Sequence, residues 1–462
     1  MNRRRFLRTT AEASAAALLI GCGGRDRPIA ATTPAGRSAP PPPGPAAPEP
    51  PPAITQPTPP AEPPPAPEPP APIGGGELDS DFPEWTLGED SASPNTVLMF
   101  RGNPTHTFYG TGPLPDRPRL LWKRKLGEFR GRKADGTEQH WVGTGWSGQP
   151  VRWGKRVYVG AVDTSFYCFH ADTGEPIWTF KGGRMFKGSC CFYKGRLYMG
   201  NVDNFVRCLD GKTGKELWKY DTRRDCDSSP CVAGGRLYIG GEDGKLKCFD
   251  PETGSLHWML ALGEGNGAPP GSGGMESSPA VADGEVYIGH YDGYLLCADA
   301  ATGAEKWRAP MGGDCDVSPV VVGERVYLAA ETESPVLRCF DRARKGKLIW
   351  EMNNKEGFWS TPAVVGDRLW IGGHDGVLYC LAADSGKVIW TYKAGHAIWS
   401  SPVVVDGKVL FGSYGPDYHM LDADKGTLLW KHRMGERTHS TACVVAGKIY
   451  VGSANGYFHC FG

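Results

Sequence analysis

The sequence has no charge excess, no apolar run long enough to cross a bilayer, and no helical periodicity of useful length. Its 51 basic and 51 acidic side chains cancel over 462 residues. That balance argues against a nucleic-acid partner, which calls for a basic patch, and against the acidic surface of a halophile. The 11 histidines show no zinc-ligand spacing, and neither a nucleophile elbow nor a phosphate loop is present. Gly263-Glu264-Gly265-Asn266-Gly267 lacks the strand before and the helix after that a phosphate loop requires, so it reads as a flexible loop. What the chain does have is 64 glycines, 40 prolines, 14 cysteines and 15 tryptophans, and their placement carries the information.

The amino terminus reads Met1-Asn2-Arg3-Arg4-Arg5-Phe6-Leu7-Arg8, and then a mildly apolar stretch runs from Ala11 to Ile20. A basic head before so short an apolar run is a signal peptide rather than a membrane helix. Arg3, Arg4, Phe6 and Leu7 resemble the twin-arginine export signal. Leu19-Ile20-Gly21-Cys22 resembles a bacterial lipobox, in which cleavage leaves Cys22 to receive lipid. Residues 1–21 are therefore expected to be a signal peptide. Gly23 stands where an Asp would favour retention at the inner membrane, so an outer-membrane anchor facing the periplasm is expected. Of the 40 prolines, 21 fall between Pro28 and Pro72. Such sequence buries no core and samples extended polyproline II. At about 3.1 Å per residue it reaches up to roughly 140 Å. Residues 22–76 read as a lipidated stalk, and 77–119 as an N-terminal lead-in segment.

From residue 120 to 462 the chain repeats itself. Seven times a glycine precedes a tryptophan by four residues: Gly174/Trp178, Gly214/Trp218, Gly254/Trp258, Gly303/Trp307, Gly346/Trp350, Gly386/Trp390 and Gly426/Trp430. Each unit reads as four short strands, with Asp-Gly turns such as Asp243-Gly244 expected to hold both central residues at positive φ. Four strands per 40 or so residues with one aromatic anchor each make a propeller blade. The last unit supplies three strands, and the missing outer strand with its tryptophan stands at the front as Leu120-Leu121-Trp122-Lys123. The expected fold is all-β: an eight-bladed propeller of four-stranded antiparallel blades, closed by an N-terminal strand that completes the last blade. Closure of this kind is expected to remove free edges.

The units Asp210-x-x-Thr213-Gly214-x-x-x-Trp218, Asp250-x-x-Thr253-Gly254-x-x-x-Trp258 and Asp299-x-x-Thr302-Gly303-x-x-x-Trp307 resemble the pyrroloquinoline-quinone-type (PQQ-like) propeller repeat. The pattern departs at His170 and Ala382, where the leading Asp is absent, and at Asp341, where one residue is inserted. The family includes quinoprotein dehydrogenases and cofactor-free lipoproteins of the BamB kind, which serve outer-membrane barrel assembly. A compact ring on a lipid anchor resembles the second group more closely. The twin-arginine signal fits it less well, because BamB proteins usually use the general secretory route.

Cys168, Cys208, Cys248, Cys297, Cys339, Cys380 and Cys460 occupy one repeated position, with Met420 as the eighth. These read as small core residues, too far apart between blades for disulfides. Cys190, Cys191, Cys226, Cys231, Cys315 and Cys443 remain unassigned in a compartment that permits pairing. In quinoprotein dehydrogenases, adjacent cysteines form a strained disulfide over the cofactor. Here Cys190-Cys191 fill the Ser and Pro positions of an inner strand (compare Ser229-Pro230), so strand packing is the plainer reading.

Aligning units on that Pro, the residue three before it is Ser147, Gly188, Asp227, Glu276, Asp316, Trp359, Trp399 and His439. Three carboxylates, two indoles and an imidazole converging on the channel mouth suit a flat polar ligand or a cation. They also suit a channel rim with no ligand at all. The expected function is an envelope-anchored scaffold for other envelope proteins, monomeric, without cofactor and without nucleic acid. The alternatives are a PQQ- and calcium-dependent dehydrogenase, or a propeller that binds a small ligand or glycan.

Overall fold

The computed structural model describes residues 96–132, 138–144, 148–261, 274–331 and 336–462. The signal, Cys22, the proline-rich stalk, Ser147 and nearly all of the insert around Gly263 lie outside them. The described residues form eight four-stranded antiparallel blades with no helix among them, and a separate hairpin of Glu128–Arg132 with Glu138–Val142. Blade 1 spans Val151–Trp153 to Pro176–Lys181, and blade 2 Cys191–Tyr193 to Glu216–Asp221. Blade 3 runs from Cys231–Ala233 to Leu256–Ala261, blade 4 from Ala280–Ala282 to Glu305–Pro310, and blade 5 from Val320–Val322 to Lys347–Asn353. Blade 6 runs from Ala363–Val365 to Val388–Lys393, and blade 7 from Val403–Val405 to Leu428–Arg433. Blade 8 is composite: Leu120–Lys125 pairs with Tyr457–Phe461, which continues into Lys448–Gly452 and Cys443–Val445.

The repeated Gly and Trp lock neighbouring blades. Each of the seven glycines has φ between +69° and +74°, a conformation that favours the residue without a Cβ. A Cβ on Gly303 would stand 2.5 Å from the Trp258 ring, and one on Gly214 2.6 Å from Trp178. Trp218, Trp307, Trp350 and Trp390 cover Gly254, Gly346, Gly386 and Gly426 in the same way. Each of these indoles thus lies on the next blade's glycine. The indole N–H commonly donates to a carbonyl of that next blade: Trp258 to Ala300 at 3.2 Å, Trp350 to Ala383 at 3.1 Å and Trp390 to Ala423 at 3.2 Å. A second-strand tyrosine often shares the acceptor, as Tyr238 does at Ala300 (3.0 Å) and Tyr327 at Ala383 (3.1 Å). At the seam Trp122 takes the same part. It lies against Gly174, donates to Ala171 O at 3.1 Å and packs on Phe458. Among the described residues Trp430 has no glycine to cover, and it packs edge-on against Phe461.

The anchors differ in depth. Trp122, Trp307 and Trp350 are buried, whereas Trp178, Trp218, Trp258, Trp390 and Trp430 are only half-buried. An outer-strand indole has a neighbour on the glycine side and solvent on the circumference, so Trp390 and its equivalents act as clasps between blades rather than as core residues.

Where the leading Asp is present it caps the turn: Asp210 Oδ1 accepts from Lys212 N, Thr213 N and Thr213 Oγ1. At the divergent His170 the ring Nδ1 accepts from Asp172 N and Thr173 N instead. The repeated cysteines pair across the strand ladder with the tryptophans, for example Cys208 with Trp218, and all are buried free thiols.

Two expectations need correction. At Asp243-Gly244, Asp292-Gly293 and Asp375-Gly376 only the glycine has positive φ. Gly244 N donates to Gly241 O and Gly293 N to His290 O, so the Asp sits in a type I turn and the glycine comes after it. Turns with both central residues at positive φ occur one strand earlier, at Lys194-Gly195, Asp283-Gly284 and Asp406-Gly407. Second, ring closure leaves the outer strands as edges on the circumference. Their pairing carries a register shift beside the tryptophan, as between Cys208 and Leu209 and between Cys380 and Leu381. Such a bulge makes an edge a poor template for pairing.

From residue 96 the lead-in belongs to the interior of the propeller. Thr96–Val97 adds to the inner edge of blade 1. Leu98 O then accepts from Phe192 N, Pro104 O from Val281 N, and Thr105 O from Val321 N, while Thr111 N donates to Val444 O. Hydrogen bonds to innermost strands around the ring place this segment in the central channel. Arg101, fully buried, donates to Pro402 O at 2.5 Å and Pro362 O at 2.6 Å, and its guanidinium lies 4.5 Å from the Tyr109 ring centre. Burial lowers its pKa to about 10, which leaves it charged at neutral pH.

Candidate functional site

The Ser/Thr at the position before the Pro, or its equivalent in blades 2 and 8, builds the ring that carries the site. Gln149 N donates to Ser189 Oγ, and Ser189 N to Ser229 Oγ. The series continues through Ser278, Ser318, Thr361 and Ser401 to Thr441 Oγ1. Gln149, longer than serine, spans the seam: its Nε2 donates to Ala442 O and its Oε1 accepts from Arg101 N. This hydroxyl ring and Phe100 of the plug form the floor of a funnel. The residues two positions before the hydroxyls stand around it.

The hydroxyl ring also sets the register of blade 2. Ser189 is equivalent to Ser229, so Cys190 takes the Pro position and Cys191 opens its strand as Cys231 does. Blade 2 therefore presents Lys187, not Gly188, at the rim. The signal for it was present in the 40-residue offset from Asp227. Cys190 and Cys191 are buried free thiols in the packing of the blades, not funnel residues.

Asp227, Glu276, Asp316, Trp359 and Trp399 all line the funnel, with Lys187. They divide into two walls. The acidic wall has Asp227 Oδ2 accepting from Lys187 Nζ, with Glu276 Oε1 4.0 Å from the same ammonium. Glu242 stands behind them and accepts from Tyr291 OH at 2.8 Å. Asp227, Glu242 and Glu276 bring carboxylate oxygens within 4.8 Å of one another, a spacing a hard divalent cation can bridge. Burial, opposed by Lys187 and reinforced by Glu276, pushes Asp227 up to about 7. Burial and the neighbouring Glu276 push Glu242 up to about 9. Next along the rim, burial and Asp316 hold Glu331 well above the usual carboxylate range.

The opposite wall is aromatic. Trp359 donates its indole N–H to Asp316 Oδ2 at 3.2 Å and meets Trp399 edge-on at 4.0 Å between ring centres. His374, Tyr414 and His439 complete it, Tyr414 lying 4.2 Å from Trp399 and 4.5 Å from His439. His439 thus belongs to the aromatic cluster beside the funnel. Burial lowers His374 to about 4 and His439 to about 3, so both imidazoles are neutral at pH 7. Sequence reasoning missed Lys187, Glu242, Glu331, His374 and Tyr414. All but Lys187 sit on neighbouring turns that only the folded blade brings to the rim.

PQQ would have to fit here, and without a bridging cation such as calcium the residues do not suit it. It carries three carboxylates, whereas the rim presents Asp227, Glu276 and Asp316 backed by Glu242 and Glu331. The nearest ammonium, Lys187, is engaged by Asp227. The adjacent cysteines are not available to cover it.

A family model described as "Outer membrane protein assembly factor BamB" matches residues 116–345 and 333–459. No curated protein matches. Among solved structures, quinohemoprotein alcohol dehydrogenase from Comamonas testosteroni is 15% identical with a TM-score of 0.65, covering 80% of this chain and 81% of that one. A europium-containing methanol dehydrogenase is 15% identical with a TM-score of 0.64, covering 80% and 98%. BamB from Moraxella catarrhalis is 16% identical with a TM-score of 0.52, covering 74% and 99%. At such identities the likeness is one of fold. The match of the family model over most of the chain decides the family: the chain belongs to the PQQ-like, BamB-type family of eight-bladed β-propellers.

Proposed function

We propose that this protein is a non-catalytic interaction scaffold of the cell envelope, BamB-like, held by lipid on Cys22 at the end of the proline-rich stalk and working in outer-membrane protein assembly. The observation that carries it is the circumference of the ring. Leu120 and Leu121, Leu348 and Ile349, and Val388 and Ile389 are each 41–50% exposed, all on outer strands. Single exposed aliphatics are ordinary, but adjacent pairs recurring along blade edges offer apolar footing to partner proteins.

The test is capture of partners from detergent-solubilised envelope with the full-length protein. Envelope proteins recovered with the wild type should be lost when Leu348, Ile349 and Val388 are changed together to Lys. Recovery of nothing above a Cys22→Ala control overturns the scaffold reading.

A further inference from the structure

We propose that the funnel is a binding site for an organic cation, an alkylammonium or guanidinium group borne either by a free small molecule or by a polypeptide side chain. This goes beyond the scaffold reading and does not depend on it. One wall of the funnel offers Asp227, Glu276 and Asp316, the other Trp359 and Trp399, and Phe100 closes the floor. Carboxylates facing indoles across a cavity are the complement of a cation with an organic body. The head pairs with the acids, and the body and part of the charge lie against the π faces. The neighbouring imidazoles of His374 and His439 are neutral and do not repel it.

A second observation points the same way. The Asp227 side chain is 3% exposed and lines the funnel. Its Oδ2 is taken by Lys187, while its Oδ1 has no hydrogen-bond partner among the described residues. A buried carboxylate oxygen without a donor is costly unless something supplies one. A bare divalent cation is the weaker occupant, because the Lys187 ammonium already stands between Asp227 and Glu276. An ammonium or guanidinium, which brings its own N–H donors, can share these carboxylates with Lys187 without displacing it.

The groups facing Asp227 are Lys187, Glu276, Asp225 and Glu242. In the free protein, protons on Asp227 and Glu242 hold down the repulsion among these acids. An entering cation displaces those protons, so its affinity rises as pH increases from 6 toward 9.

The experiment titrates the full-length protein with phenethylammonium and agmatine, and with 2-phenylethanol as a neutral counterpart, following tryptophan fluorescence and heat. Saturable binding of both cations, at least tenfold tighter than of 2-phenylethanol and at least threefold tighter at pH 8 than at pH 6, is expected. Glu276→Gln with Asp316→Asn should weaken it at least tenfold, and Trp359→Leu at least threefold. A peptide with an internal Arg that competes with agmatine identifies a polypeptide source, and absence of competition a free small molecule. Equal binding of 2-phenylethanol overturns the proposal. So does calcium chloride alone saturating the site and excluding agmatine. If the variants do not fold, the wild-type comparison of cation with neutral counterpart still decides it.

Discussion

Two glycines provide a controlled test of how the blades are held together. Gly303 and Gly284 have nearly the same backbone, at φ +74° and +75°. An alanine at either adopts a left-handed conformation that costs roughly 1–2 kcal/mol. They differ in what the new methyl would meet. At Gly284 nothing lies within 4 Å, while at Gly303 it would stand 2.5–2.6 Å from the Trp258 ring. The indole cannot retreat without losing its 3.2 Å hydrogen bond to Ala300 O. Overpacking of this kind adds roughly 1–3 kcal/mol. Gly284→Ala is therefore expected to lose about 1–2 kcal/mol and Gly303→Ala about 2–5 kcal/mol, read from urea-unfolding midpoints by circular dichroism. In a Trp258→Leu background the excess at Gly303 should shrink, because the two residues are coupled by contact. Equal losses at the two glycines, or an excess undiminished by the Trp258→Leu change, would refute the stacking lock.

Two further outcomes concern the channel and its rim. Arg101→Met removes two hydrogen bonds from a buried charge, each worth about 1.5–3 kcal/mol, and should cost about 3–6 kcal/mol and expose residues 96–111 to limited proteolysis; unchanged stability and protection contradict the plug. Because Asp227 and Glu242 have raised pKa values in the folded protein, the native state holds protons that the unfolded chain releases. Stability from this source is complete below about pH 4 and is lost as pH rises through about 7 for Asp227 and about 9 for Glu242. Urea midpoints should fall from pH 5 to 9, and Glu242→Gln should flatten the upper part; an identical profile in the variant contradicts the assignment.

The repeat was legible because its chemistry is local. Gly-x-x-x-Trp states a turn that needs positive φ and an anchor that needs a neighbour, and the orphan Trp122 strand announced the closure of the ring. How deep each anchor sits was not legible, since Trp350 and Trp390 share one motif and differ only in what covers their outer edge. The plug was not legible either. Residues 96–114 carry no periodicity, and Arg101 has meaning only where carbonyls from blades 6 and 7 converge. At the rim, the direct ring positions were readable by offset wherever Pro marked the register. Blade 2 lacks that Pro, and a one-residue slip exchanged Lys187 for Gly188. Glu242, Glu331 and His374 reach the same mouth from second-to-third-strand turns, a juxtaposition produced by blade geometry rather than by spacing.

The most direct test of a scaffold whose funnel faces cations is to add PQQ and calcium to the purified full-length protein, record the quinone absorbance retained after desalting, and assay dye reduction with alcohols. Such a protein retains no quinone and reduces no dye. Stoichiometric retention of quinone with alcohol-dependent dye reduction would contradict it.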